Sequence, residues 1–339
     1  MSRLLNRTPF LSAFLGFVLV FASSSALAQY QSIYLVSDLS GTMHTDPLLK
    51  NPWGLAYSPG AAFWISDEAS GWSTLYDGKG NPQSLQVTIP PISGTGPGTP
   101  TGIVSNASSE FQIDGWTSAF LFATLDGTIS GWSHFFPSST LIGATNPGAV
   151  YTGLAITSKS SDNFLFAADS ANNKVDIYDG TFNLVGSFTD PAVPPGFTPF
   201  GIQDIAGQVY VAYAATSGGS GGFIDVFDED GTFVKHFAHG APLNQPWGFA
   251  LAPKNFGPLS HTLLISNNTS AGTINGYNPN TGKLVGTMMN SSGKPLAING
   301  LWGIEFGGGT SANGQKNELF FTAGPNDTDG YFGAIMFKQ

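Results

Sequence analysis

The chain has 339 residues, with 12 basic against 22 acidic side chains and a formal net charge of −10. Its two arginines, Arg3 and Arg7, both lie at the N-terminus, so the remainder has no guanidinium to clamp a phosphate or read a base edge. That argues against a nucleic-acid partner, and the absence of cysteine removes disulfides, thiolate metal ligands and thiol nucleophiles together.

In chain order, the first segment is a predicted export signal. Arg3 and Arg7 form a positive stretch, residues 10–22 are mostly apolar, and Ala26-Leu27-Ala28 reads as a small-x-small cleavage site. The apolar run is shorter than the roughly 20 residues of a spanning helix. Residues 1–28 are therefore expected to be removed, leaving residues 29–339 as one secreted or periplasmic domain, monomeric and with no membrane attachment.

Beyond a first predicted strand, Ser32-Ile33-Tyr34-Leu35-Val36, one phrase returns six times. It reads Asn51-Pro52-Trp53-Gly54-Leu55-Ala56, Thr99-Pro100-Thr101-Gly102-Ile103-Val104 and Val150-Tyr151-Thr152-Gly153-Leu154-Ala155. It then recurs as Thr198-Pro199-Phe200-Gly201-Ile202, Gln245-Pro246-Trp247-Gly248-Phe249-Ala250 and Gly300-Leu301-Trp302-Gly303-Ile304. The glycines are 48, 51, 48, 47 and 55 residues apart, the length of a four-stranded blade.

The third unit shows the pattern most clearly. Predicted strands at 153–156, 164–168, 174–178 and 184–188 are rich in β-branched and aromatic residues and are separated by Asp169-Ser170-Ala171-Asn172-Asn173 and Asp179-Gly180 turns. The sixth unit has strands at 303–306, 318–322 and 333–337 and then ends, one strand short. The spare strand at 32–36 is expected to pair with it and remove the exposed edge. The fold class is thus all-β: a six-bladed β-propeller closed by the N-terminal strand of the mature chain.

Phe166-Ala167-Ala168-Asp169 with Asn172, Val175, Ile177, Tyr178 and Asp179 resembles the NHL-type repeat. With Ser73-Thr74-Leu75-Tyr76-Asp77-Gly78, Gly186-Ser187-Phe188-Thr189-Asp190-Pro191 and Phe321-Thr322-Ala323-Gly324-Pro325, nearly the whole mature chain resembles a family of exported bacterial six-bladed propellers. That resemblance brings no activity with it. Neighbouring propellers include calcium-dependent lactonases, strictosidine-synthase-like proteins and streptogramin lyases, whose metal sites use Asp, Glu and Asn at the axial channel. No such set can be placed on this sequence residue by residue.

The five histidines are scattered; His236 and His239 are three apart, a spacing within reach of one metal, but they sit in a strand-to-loop region where it places them on opposite faces. Gly218-Gly219-Ser220-Gly221-Gly222 has the spacing of a nucleophile elbow but sits in a loop between strands rather than before a helix. Topology gives a better lead, because the lead-in to each repeat glycine shares a rim with the turn between the second and third strands.

The residue before the glycine is aromatic in four contiguous blades, as Trp53, Phe200, Trp247 and Trp302, and threonine in the other two. With Asn51, Asp67 and Asn267 nearby, this arc is the candidate ligand site, suited to a sugar ring or a basic group. The alternative is that the aromatics wedge adjacent blades. Asp327 and Asp329 are weak candidates for Ca²⁺, and their side chains equally suit a turn. The expected function is a binding or protein-interaction module for a small molecule, glycan or protein; the alternative is a calcium-dependent hydrolase or lyase of the lactonase-like kind.

Overall fold

The computed structural model describes residues 29–159 and 162–338. The expected export signal, residues 1–28, lies outside the described residues. The chain is a six-bladed β-propeller: six antiparallel meanders in sequence order, with the innermost strand a of each blade against strand a of the next and the sixth against the first.

Blade 1 comprises Pro52–Ala56, Phe63–Asp67, Trp72–Tyr76 and Val87–Thr88, and blade 2 Pro100–Ser105, Phe120–Thr124, Thr128–Trp132 and Leu141–Thr145. Blade 3 comprises Tyr151–Lys159, Asp162–Asp169, Lys174–Tyr178 and Leu184–Phe188, and blade 4 Phe197–Asp204, Val209–Ala215, Gly222–Phe227 and Phe233–His239. Blade 5 comprises Pro246–Leu251, Leu263–Asn267, Ile274–Tyr277 and Leu284–Thr287. Blade 6 has Leu301–Phe306, Leu319–Ala323 and Tyr331–Lys338.

The missing outer strand of blade 6 is Gln29–Ser37, antiparallel to Tyr331–Lys338 from Gln29↔Lys338 to Ser37↔Tyr331. Tyr30 anchors it: its hydroxyl donates to the Phe256 carbonyl at 2.6 Å and accepts from the Leu259 amide at 3.0 Å. The ends of the chain are thereby sewn into one sheet and tied to blade 5.

Alternate side chains of each sheet meet those of the next blade. Phe166, Ala168 and Val175 of blade 3, for example, pack on Val209, Val211 and Tyr213 of blade 4. Such stacking buries both faces of a sheet that no single blade could cover.

Two departures from regular pairing position the sites. All six strands a slip register against strand b around the repeat glycine, a bulge that turns the preceding side chain toward the axis. A further slip lies in the outer strand of blade 4, where Asp225 faces His236 but Ile224 faces Ala238. Phe237 is the extra residue, and it brings His236 and His239 to one face, where they line the same groove. The expectation of opposite faces, which assumed a regular strand, is corrected.

Candidate functional site

The repeat glycines are needed because the inner strands crowd the axis. A Cβ on Gly54 would lie 2.6 Å from the Thr101 carbonyl oxygen of the next blade. On Gly248 or Gly303 it would lie 2.8 Å from that of Trp302 or Trp53. Hydroxyls on strand b fasten the same places: Ser266 donates to the Trp302 carbonyl and Thr322 to that of Trp53, each at 2.6 Å. The Gly248 and Gly303 amides donate back to these hydroxyls.

This geometry aims the aromatic arc inward. Trp53 and Trp302 stack at 3.7 Å, while Trp247 meets them edge-on at 6.3 and 5.8 Å. Phe200 of blade 4 lies 6.1 Å from Trp53 of blade 1. Blades 1 and 4 are opposite one another, so these rings can touch only on the axis.

Trp53, Trp247 and Trp302 are 7 %, 8 % and 3 % exposed. They neither form an open platform nor wedge the blades apart; they plug the channel. The Trp247 indole N–H donates across it to the Thr152 carbonyl at 2.9 Å, and that of Trp302 to Asn51 Oδ1 at 3.1 Å.

The polar residues grouped with the arc are stitches. Asn51 is buried in the left-handed region (φ 43°) and donates to Glu68 at 2.8 Å. The backbone amides of Glu68 and Asn268 donate to the Asn51 and Gln245 carbonyls, so the lead-ins do share a rim with the b–c turns.

Asp67 is fully buried and accepts from the Thr74 amide; burial raises its carboxyl well above the usual range, against that hydrogen bond. Asn267 holds the Asn244 amide and the Pro242 carbonyl. Asp327 is exposed, and Asp329 takes a hydrogen bond from Asn326 at 3.3 Å. Among the described residues neither joins a third carboxylate or a histidine within metal-binding reach.

Beyond the glycines, Leu55, Ile103, Leu154, Ile202 and Ile304 enclose a small cavity of about 30 Å³. It leads to the opposite mouth, a funnel of about 400 Å³ lined by Tyr57, Pro59, Ser105, Ile156, Asp204 and Glu305, with Gln203 between them. Glu305 is half-buried; burial pushes its carboxyl up to about 7, against a hydrogen bond from Gln203. Burial, then the Glu305 charge, pushes the Tyr57 hydroxyl up to about 12. Burial also raises Asp204, whose Oδ2 has no hydrogen-bond partner. The funnel is thus lined by two carboxyls, Glu305 and Asp204, that burial holds above their ordinary range.

Sequence reasoning missed this mouth, although the repeats carry its signal. Two residues past each repeat glycine stand Ala56, Val104, Ala155, Gln203, Ala250 and Glu305. Four are apolar, and the two that break the pattern line the funnel beside Tyr57, Ser105 and Asp204.

The chain is 32% identical over 349 residues to "Uncharacterized protein R648" of Acanthamoeba polyphaga mimivirus, covering 94% of this chain and 83% of the viral one. It belongs to that protein's family. A second mimivirus protein, "Uncharacterized protein L690", is 29% identical over 350 residues, covering 95% of this chain and 90% of its own. These relatives are viral, whereas the sequence resemblance pointed to exported bacterial propellers. No family model matches.

Among solved structures, the soluble aldose sugar dehydrogenase of Escherichia coli superposes with a TM-score of 0.57 at 12% identity, covering 91% of this chain and all of that one. The gluconolactonase XC5397 of Xanthomonas campestris gives 0.55 at 14% identity, covering 92% and 90%. The virginiamycin B lyase of Staphylococcus aureus gives 0.53 at 12%, covering 91% and 99%. At such identities these likenesses concern the fold alone.

Proposed function

We propose that this protein is an exported binding propeller whose ligand enters the funnel at the a–b mouth and is held by Glu305 and Gln203. One observation carries this reading: an otherwise apolar ring of inner-strand positions is broken at these two residues, which face a mouth large enough for a small polar molecule. The plug behind it makes the funnel blind, so it is a seat rather than a passage. With the net negative charge of the chain, the chemistry favours an amine or a hydroxyl-rich ring.

The second reading is a hydrolase or lyase of the lactonase-like kind, supported by an acid near 7 in the same funnel, which suits proton transfer at neutral pH. A thermal-shift and calorimetric screen of amines and saccharides against wild type and Glu305→Gln tests the first. Saturable binding that the variant loses supports it. Turnover of lactones or esters, with or without calcium, that Glu305→Gln abolishes supports the second. Binding that the variant leaves unchanged removes the funnel from both.

A further inference from the structure

A different cluster lies between blades 3 and 4, away from the axis. Asp190, in the loop after strand d of blade 3, meets Asp225 of strand c and His236 of strand d of blade 4. His236 Nδ1 is 2.9 Å from Asp225 Oδ1 and 3.2 Å from Asp190 Oδ2. Asp225 is 1 % exposed and Asp190 7 %, whereas the His236 side chain is 53 % exposed and opens on solvent.

The neighbouring blade supplies an internal control. The position of Asp225 in the motif Asp225-Val226-Phe227 is that of Asp176 in Asp176-Ile177-Tyr178 of blade 3. Asp176 is the better compensated of the two: Tyr151 and Asn146 both donate to its Oδ2 at 2.9 Å, and its Oδ1, which makes no hydrogen bond, has the Lys174 ammonium at 2.7 Å. Asn146 follows strand d of blade 2 as Asp190 follows strand d of blade 3. The blade 4 junction thus has a second carboxylate where blade 3 has an amide donor, and Phe223 where blade 3 has Lys174.

Two buried carboxylate oxygens there remain without a hydrogen bond, as does the nearby Tyr213 hydroxyl. Asp225 Oδ2 has none, and Asp190 Oδ2, although it points at the imidazole, makes none either. Facing buried carboxylates are costly unless a cation sits between them. One imidazole on the solvent side is a partial remedy.

We propose that Asp190, Asp225 and His236 bind a divalent first-row transition-metal cation, with zinc as the type. The donors are those such a cation takes, and one atom from each residue lies within 4.8 Å of the others. Two ligand atoms bonded at about 2.0–2.1 Å in tetrahedral geometry stand roughly 3.3 Å apart, close to the separations at His236 Nδ1. The metal takes the place of the proton on Nδ1, and the bound neutral ring carries its one proton on Nε2. A groove of about 230 Å³, lined by Ala192, Val193, Phe223, Ala238 and His239, leaves the outer side open for water or a further ligand. The bulge at Phe237 turns His239 to the same face, where it lines the groove beside the site.

The test is titration of the full metal-free chain with Zn²⁺ by calorimetry, repeated with Ca²⁺, alongside the optical spectrum of the Co²⁺ form. Wild type is expected to take up one Zn²⁺ with a rise in melting temperature, and its Co²⁺ form to show absorption bands of low-symmetry coordination. His236→Gln, at an exposed position, and Asp190→Asn, which copies the Asn146–Asp176 junction, should fold and lose tenfold or more in Zn²⁺ affinity. No uptake of Zn²⁺ by wild type, or equal uptake by both variants, overturns the proposal. Binding of Ca²⁺ in preference to Zn²⁺ overturns the transition-metal assignment.

Discussion

Trp53 and Trp302 stack with their rings 3.7 Å apart and 17° from parallel, although they stand near opposite ends of the chain. They come from blades 1 and 6, on either side of the seam where the propeller closes. The stack, the hydrogen bond from Thr322 to the Trp53 carbonyl and the N-terminal strand therefore hold one junction together.

Trp302→Ala is expected to destabilise the propeller by about 3–5 kcal/mol, the cost of a large buried side chain and the cavity it leaves. Urea denaturation followed by tryptophan fluorescence measures it. A change below about 1 kcal/mol would show that the plug is loosely packed and that the channel is open in solution.

Deleting residues 29–38 removes the outer strand of blade 6 together with the Tyr30 anchor on blade 5. Because each blade packs on both neighbours, the whole domain should lose stability in one transition rather than shed a blade. Calorimetry with an unchanged melting temperature would refute closure by this strand.

Two glycines separate a steric requirement from a conformational habit. A Cβ on Gly201 would collide with the Trp247 carbonyl, whereas on Gly186 its nearest neighbour is Ile177 Cδ1 at 3.8 Å. Gly201→Ala is expected to cost about 1–3 kcal/mol or more, and Gly186→Ala to stay within about 0.5 kcal/mol of wild type. Equal melting temperatures for the two variants would contradict the crowding at the axis.

Glu305 gives a pH dependence of defined sign. Its carboxyl is raised from 4.5 to about 7 in the fold, so between those values the native state holds a proton that the unfolded chain has released. Stability contributed by the protonated form is complete below 4.5, falls as pH rises through this window and levels off above 7. At about 1.4 kcal/mol per unit the loss has an upper bound of about 3 kcal/mol, lessened by water in the funnel. Glu305→Gln should flatten this part of the profile; denaturation curves from pH 4 to 8 that remain parallel for the two proteins would rule the assignment out.

The architecture was legible in the sequence because its signals are local and repeated. Each glycine marks a bulge, each Asp or Asn turn a reversal, and the strand lacking in the last repeat was visible at the other end of the chain. The inward aim of Trp53, Phe200, Trp247 and Trp302 was partly legible from their place before those glycines. Whether they would leave a platform or fill the channel was not, because that depends on the radius of a closed ring and on four side chains from different blades meeting at one point.

The polar break at Gln203 and Glu305 stood in the aligned repeats, but its depth, and hence the raised carboxyl, follows from the strands packed around it. The Asp190–Asp225–His236 cluster belongs wholly to tertiary structure. Register slips on either side set the face of His236, and the propeller sweep carries a loop of one blade against a strand of the next. Sequence periodicity determined how the chain folds. Register slips and side-chain convergence, which no local pattern encodes, decided where its chemistry lies.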